Sequence, residues 1–555
     1  MLVRQPYGRD IATTVVYAHP VWFARHGYNV VIQDVRGRGD SGGRFYPFRH
    51  EGKDGAETIN WLAQRPECNG RIGMYGFSYQ GTTQLLAAAE NPAALKCIAP
   101  AQTAGDLFNG WFYHHGILRL AGAIGWATQM LRGDAHHLKL KKPAAALDAA
   151  WANLAPSFLA TPYGELSNLT AKGLPSYYRD WITHQQHDDY WAGQDLSRRW
   201  SDITLPALHV IGWYDMYLHG SIDLFENLAR HAGSEFARQN QYLVAGPWTH
   251  IPWGNFVGEA DFGPKALLDT DALPLRWFNH WLKESGEFSK EPKLNLFALG
   301  ANDWHQPKAW PFQGRAVLPA CPSIGADVAT IESRQDDRPI LDRILRQTWF
   351  FHSEDRANSS KGTGRLSLAK PATEEPRDVF VHDPEVPVTA PGGPAAMQGC
   401  FAQNRLELGN NLLVYTSPEL TTPVYVYGSP KVRLFAQSSC DETDFVAKLV
   451  KVGKDGRALN ISIGAARSSF LFPDGAHKAD ALACWEFPLE ATSCVFAAGE
   501  RIRVEIASSA FPLYDRHPGS DIHPAKATPR DWKKAMQQVL HTPDAPSSIE
   551  FALAT

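Results

Sequence analysis

Residues 71–81 read Arg-Ile-Gly-Met-Tyr-Gly-Phe-Ser-Tyr-Gln-Gly, an apolar strand-like run that ends in a glycine-flanked serine and passes straight into the helix-forming stretch 82–90. This pattern puts Ser78 at the tip of a tight strand-to-helix turn. A serine hydroxyl is a weak nucleophile, and acyl-transfer chemistry lifts it out of such an elbow, where N–H groups opening the helix face a developing oxyanion. Glycines flank the turn because it is strained and its backbones pack closely. The usual G-x-S-x-G pattern has its second glycine two residues after the serine; here Gln80 holds that place and Gly81 follows. An ordinary strand-to-helix turn would use the same residues, so any chemistry has to be argued from partners elsewhere in the chain.

At 555 residues the chain exceeds what one core can organise and implies several domains. Its 44% hydrophobic and 20% charged content and net charge of −4 are ordinary globular values, which argue against nucleic-acid or membrane-surface binding. No apolar run approaches a bilayer span, and Met1-Leu2-Val3-Arg4-Gln5-Pro6 lacks the apolar core of a secretion signal, so the expected compartment is cytoplasmic. Cysteines at 68, 97, 321, 400, 440, 484 and 494, with no C-x-x-C, fit reduced thiols better than disulfides or a zinc site.

Strand-like runs at 2–4, 28–34, 72–75 and 95–99 alternate with helical ones, as a parallel sheet with crossover helices requires. Between them, 51–64 reads as a helix with Ala56, Ile59, Trp61 and Leu62 on one side. Residues 106–200 change character, with long helical patterns and many aromatics, and read as a helical cap inserted into an α/β domain of residues 1–105 and 201–310. Strand signals resume at 207–212 and 242–245. A proline- and charge-containing stretch, 311–345, reads as a linker or irregular insertion. From 346 to 555 short β runs at 348–352, 412–415, 424–427, 432–437, 445–452 and 501–507 argue a β-sandwich or jelly roll.

A serine nucleophile needs a base, and the base needs an acid that fixes its tautomer. In α/β hydrolases these follow in the order Ser, Asp, His on loops leaving later strands. Asp215 follows the run 207–212 and His250 follows 242–245, which makes them the candidate acid and base.

The runs Arg4-Gln5-Pro6-Tyr7, Gly27 through Gly37, Gly76-Phe77-Ser78-Tyr79-Gln80-Gly81, Gly212-Trp213-Tyr214-Asp215 and Gly246-Pro247-Trp248-Thr249-His250 resemble the CocE/NonD hydrolases, acyl esterases related to X-Pro dipeptidyl-peptidases. The resemblance extends to 412–418, 444–449 and 501–509, which look like that family's C-terminal jelly-roll domain, galactose-binding-like in type. It implies an α/β-hydrolase fold with a helical cap, a small ester or amide substrate, no cofactor and no metal. It also implies an oxyanion hole made by the Tyr7 hydroxyl and the Tyr79 N–H. A phenol is a sound neutral donor for that purpose. Cap aromatics Trp111, Phe112, Tyr113, Trp126, Tyr190 and Trp191 could line an apolar acyl pocket or form the cap's own core.

Two departures stand out. Family members carry a further N-terminal hairpin leading into the first strand, so a late-assigned start or a sheet lacking its outer strands is expected here. In the related α-amino-acid ester hydrolases, acids two and three places after the triad aspartate hold the substrate amine; here those places are Tyr217 and Leu218, which disfavours that activity. X-Pro dipeptidyl-peptidase cleavage and non-catalytic binding on a hydrolase scaffold remain alternatives. Homo-oligomerisation is left open.

Two other patterns have ordinary explanations. Gly37-Arg38-Gly39-Asp40-Ser41-Gly42 satisfies G-x-G-x-x-G, but Phe45-Tyr46-Pro47-Phe48 follows where a dinucleotide site needs a helix. His187-Asp188-Asp189 lacks a spaced third ligand and reads as a solvated loop rather than a metal site.

Overall fold

The computed structural model describes residues 1–10, 16–312, 345–393, 398–473, 475 and 477–554. The stretch read as a linker, and Cys321 with it, lies almost wholly outside the described residues. Runs that are apolar at successive positions cannot face water on either side, and here they pair into a parallel sheet covered on both faces. Its strands are β1 (Leu2–Gln5), β2 (Val31–Asp34), β3 (Ile72–Phe77), β4 (Leu95–Ala101), β5 (Ala207–Gly212), β6 (Gln241–Gly246), β7 (Leu294–Ala298) and β8 (Asp303–His305). They lie in the order β8-β7-β6-β5-β4-β3-β1-β2. Only β8 runs antiparallel to its neighbour.

Strand periodicity sorts the sheet's side chains to its two faces. Ile72, Met74, Leu95 and Ile98 join one core with helix α2 (Tyr79–Ala89). Tyr75, Phe77, Cys97 and Ala99 join another with Trp277 and Phe278 of helix α5 (Ala272–Lys283). Strand β1 is interior, between β3 and β2, and β2 forms the sheet edge. Helix α1 (Glu51–Ala63) buries Gly55 and Ile59 but leaves Trp61 54% exposed. At about 100° per residue, positions 59 and 61 face nearly opposite directions; the Arg65 guanidinium covers the Trp61 ring at 4.5 Å instead.

Between β4 and β5 the chain is mainly helical. Helix α3 (Leu120–His137) is followed by Lys141–Ala152, Ala155–Leu159, Tyr177–Thr183 and Asp189–Ala192. A two-stranded hairpin of Tyr113–His114 and Ile117–Leu118, not expected from the sequence, precedes them. The chain rejoins the sheet at β5, and helix α4 (Leu218–His231) connects β5 to β6.

The C-terminal half is all β. Strands from Leu345–His352 to Ser548–Leu553 form one hydrogen-bonded network folded around Phe351, Phe445, Trp485, Phe496 and Phe551. Strands Asp378–His382, Ala458–Arg467, Ala483–Pro488, Thr492–Phe496, Ala535–Leu540 and Ser548–Leu553 add to the six read from the sequence. The six described cysteines outside position 321 form no disulfide. No helix among the described residues is long and apolar enough to cross a membrane.

Cap and β-domain are joined by a buried charge network. The Arg467 guanidinium donates to both Asp444 oxygens and to Asp515 at 2.8 Å, and Tyr163 of the cap donates to the other Asp515 oxygen at 2.6 Å. Removing one partner from such a group strands the others without counter-charge. Arg467→Met is expected to cost about 3–5 kcal/mol, read as a lowered denaturation midpoint, and to loosen the cap in hydrogen exchange at Tyr163.

Candidate active site

Ser78 caps α2 with φ 61° and ψ −130°, a conformation that side chains other than glycine rarely take. Its N–H donates to Ala101 O at 2.9 Å, tying the elbow to the end of β4. The displaced glycine has a physical explanation. A Cβ on Gly76 would lie 2.5 Å from the Gln80 Cβ, and one on Gly81 would lie 2.7 Å from the Thr103 Cβ. Gln80 thus folds back over Gly76, and Gly81 is the position where α2 meets the loop after β4.

The loops leaving β5 and β6 bring Asp215 and His250 together. His250 Nδ1 lies 2.8 Å from Asp215 Oδ1, and the aspartate side chain is fully buried. The imidazole sits 5.4 Å, centroid to centroid, from Phe77, the residue before Ser78. Ser78 makes no side-chain hydrogen bond to His250 here; nucleophile–base contacts in unliganded sites are often open and tighten with substrate. Gln102, at the end of β4 with φ 41°, holds the histidine loop from both sides. Its Nε2 donates to Thr249 O at 3.1 Å, and its Oε1 accepts from Trp253 Nε1 at 2.9 Å.

Tyr7 follows β1, and its hydroxyl accepts from Trp126 Nε1 at 3.4 Å and faces Ser78. Burial raises its pKa, so the phenol keeps its proton. With the indole N–H occupying a lone pair, that proton is left to donate elsewhere. Tyr79 is the first residue of α2, so its N–H has no acceptor within the helix. Its own hydroxyl points away from the elbow, donating to Glu51 Oε1 at 2.8 Å and accepting from Phe48 N at 3.0 Å.

Aromatic rings wall this space. Tyr217 stands edge-on to His250 at 5.1 Å and stacks on Trp111 at 4.1 Å. Trp126 lies 5.5 Å from Trp111 and 5.6 Å from Phe48. The six cap aromatics therefore divide. Trp111 and Trp126 adjoin the elbow, whereas Tyr113 donates to Trp181 O, Tyr190 bonds Tyr46 and stacks on His184, and Phe112 and Trp191 pack against each other within the cap. No sequence signal points to Gln102, and none separates Trp126 from the other cap aromatics; the partners of both are brought near only by the fold.

The glycine-rich stretch 37–42 closes as a turn, with Gly37 N donating to Gly42 O and Gly39 packed against the Asp34 carboxylate. The next helix begins only at Glu51, so no helix N-terminus stands there to receive a pyrophosphate.

His187 is not the solvated loop residue that its neighbours suggest. Its Nε2 is shielded from solvent 3.6 Å from Asp195 Oδ2, and ligand atoms of Asp106, His187 and Asp195 lie within 4.8 Å of one another. The Asp195 carboxylate beside it, opposed by burial, raises the His187 pKa, while burial and Asp195 push Asp106 up to about 6. One imidazole and two carboxylates are a set that a divalent ion can accept. A protonated His187 supplies the same counter-charge, and in either form the cluster binds the cap to the loop after β4.

Residues 1–252 match the X-Pro dipeptidyl-peptidase (S15 family), and residues 286–550 match the X-Pro dipeptidyl-peptidase C-terminal non-catalytic domain. A cocaine esterase of Rhodococcus sp. is 29% identical over 99% of this chain and 92% of its own. The two matched models together run through nearly the whole chain, which is a serine hydrolase similar to the S15 family. Among solved structures, an α-amino acid ester hydrolase superposes with a TM-score of 0.79 at 22% identity, covering 100% of this chain and 91% of its own. A CocE/NonD family hydrolase from Staphylococcus aureus superposes with a TM-score of 0.65 at 17% identity, covering 100% and 88%. Both share the fold, α/β-hydrolase half and all-β half together.

Gly76→Ala adds a Cβ at φ 136° where Gln80 already stands. It is expected to cost about 1–3 kcal/mol, seen as a lowered thermal midpoint. Combining it with Gln80→Ala should recover only part of that loss, because the clash with Oε1 at 2.6 Å is removed while that with the Cβ at 2.5 Å stays.

Proposed function

We propose that this hydrolase cleaves acyl esters through a covalent acyl-serine at Ser78. The observation that carries the reading is the elbow itself: Ser78 at positive φ on the helix N-terminus, beside the 2.8 Å His250–Asp215 pair. In the proposed cycle His250 takes the Ser78 proton as Oγ attacks the ester carbonyl. Asp215 holds the Nδ1–H tautomer and stabilises the imidazolium that forms. The Tyr79 N–H and the Tyr7 hydroxyl receive the oxyanion. His250 returns the proton to the leaving alcohol, then activates water to release the acid.

Selectivity follows from the wall. Trp111, Trp126 and Tyr217 offer aromatic surface, which favours an apolar acyl group. Tyr217 and Leu218 replace the amine-holding acids of the α-amino-acid ester hydrolases, and Leu218 is buried at the start of α4. A free α-amino group would find no carboxylate at these two positions. The S15 match favours X-Pro dipeptidyl-peptidase cleavage as the second reading.

A fluorophosphonate probe should label the wild type and not Ser78→Ala; a folded wild type that stays unlabelled overturns the proposal. Short acyl para-nitrophenyl esters should turn over faster than Xaa-Pro para-nitroanilides, and the reverse order would establish the peptidase reading. Tyr7→Phe should lower kcat roughly 100- to 1000-fold with little change in KM, since an oxyanion donor acts in the transition state.

A further inference from the structure

Beside Asp215 the catalytic half and the β-domain line a partly open cavity of about 60 Å³ that His250 does not border. Asp215, Arg119 and Glu490 line it. Asp215 Oδ2 is buried and accepts no hydrogen bond from the described residues. Arg119, the residue before α3, donates through Nη1 to Met216 O at 2.9 Å and through Nη2 to Glu490 Oε1 at 3.2 Å and His114 Nδ1 at 2.9 Å. Glu490 comes from the β-domain, in the turn between strands Ala483–Pro488 and Thr492–Phe496, with its N–H fixed on Ile463 O at 2.9 Å. One guanidinium thus joins the cap, the Met216–Tyr217 peptide and the distant β-domain.

We propose that Arg119 and Glu490 are positioning residues for Asp215, so that the β-domain supports the Ser78–His250–Asp215 centre; this rests on the reading of that centre given above. Arg119 fixes the Met216–Tyr217 peptide, the second after Asp215, but its charge also competes for the carboxylate that serves His250. Ionised Glu490 balances that charge.

The surrounding groups leave Glu490 as the one that changes state near neutrality. Facing Arg119 are His114, His115 and His219, whose pKa values burial lowers, and Tyr217 and Tyr514, whose pKa values burial raises. Burial pushes Glu490 up to about 7, against the pull of Arg119 and with a further push from Asp215.

Glu490→Gln stands in for a permanently protonated glutamate. Its kcat for an ester should stay within about twofold of wild type near pH 5.5, and fall roughly three- to tenfold near pH 8.5, with KM little changed. A merely structural role would move both pH values by the same factor, and such a pH-independent ratio overturns the proposal. The variant should fold. A carboxylate with a raised pKa weakens the folded state as pH rises through about 7, and glutamine has no such loss. Its thermal midpoint near pH 8 should therefore be no lower than that of wild type. Arg119→Lys keeps the charge but loses the two-armed contact, so kcat should fall by a similar factor at both pH values; wild-type turnover in Arg119→Lys also overturns the proposal. Fluorophosphonate labelling of the wild type separates the two failures. Labelled protein with a flat Glu490→Gln ratio ends only this proposal, and unlabelled protein ends it together with the catalytic reading.

Discussion

A serine held at φ 61° is the constraint around which this site is organised. Such a conformation costs on the order of 1–3 kcal/mol and persists only where its surroundings allow no other. Here they do. β3 is buried at all six positions, α2 is buried along its whole length, and the Ser78 N–H is committed to Ala101. The two ends of the elbow are close-packed, Gly76 under Gln80 and Gly81 against Thr103. What is strained in the turn is thus offset by the burial of the two elements it joins.

The three parts of the molecule contribute different things around that turn. The sheet supplies loops ending at Ser78, Gln102, Asp215 and His250, from four adjacent strands. The cap supplies surface and one donor, with Trp126 oriented on the Tyr7 hydroxyl. The β-domain borders the cavity beside Asp215 through Asn460, Ser462 and Glu490. Buried imidazoles and phenols fill much of the interface, and burial disfavours their charged forms. Charges there are matched to opposite ones, Arg119 with Glu490 and Arg467 with both Asp444 and Asp515.

Much of this could be read from the residues. The strands leading to Ser78, Asp215 and His250 are continuous apolar runs, and a buried parallel strand announces itself in that way. The helix 51–63 was equally plain, though Trp61 was placed on the wrong side because a 13-residue amphipathic pattern tolerates one large residue outside its stripe. Strands such as Ala458–Arg467 and Ala535–Leu540 escaped notice. Their sequences, ALNISIGAAR and AMQQVL, carry small and polar residues of weak β preference, and neighbouring strands hold them extended. His187 gave no sign of its partners, since Asp106 lies 81 positions before it and only the cap's fold brings them together. Arg119 and Glu490 are 371 positions apart, and no local pattern could have joined them.

The contacts that cross between the halves are backbone as well as side chain. Gly258 bridges to Cys400 and Leu299 to Cys494 in strand fashion, and the Tyr214 hydroxyl donates to Asn460 O one residue before the triad's proposed acid. Main-chain pairing of this kind depends on register more than on side-chain identity, so the seam can tolerate divergence in sequence while resisting any shift in alignment. Exchanging β-domains between distant relatives would preserve each fold yet misplace the acid loop by whatever offset the foreign seam imposed. Register along this seam therefore ties the placement of the acid loop to the β-domain.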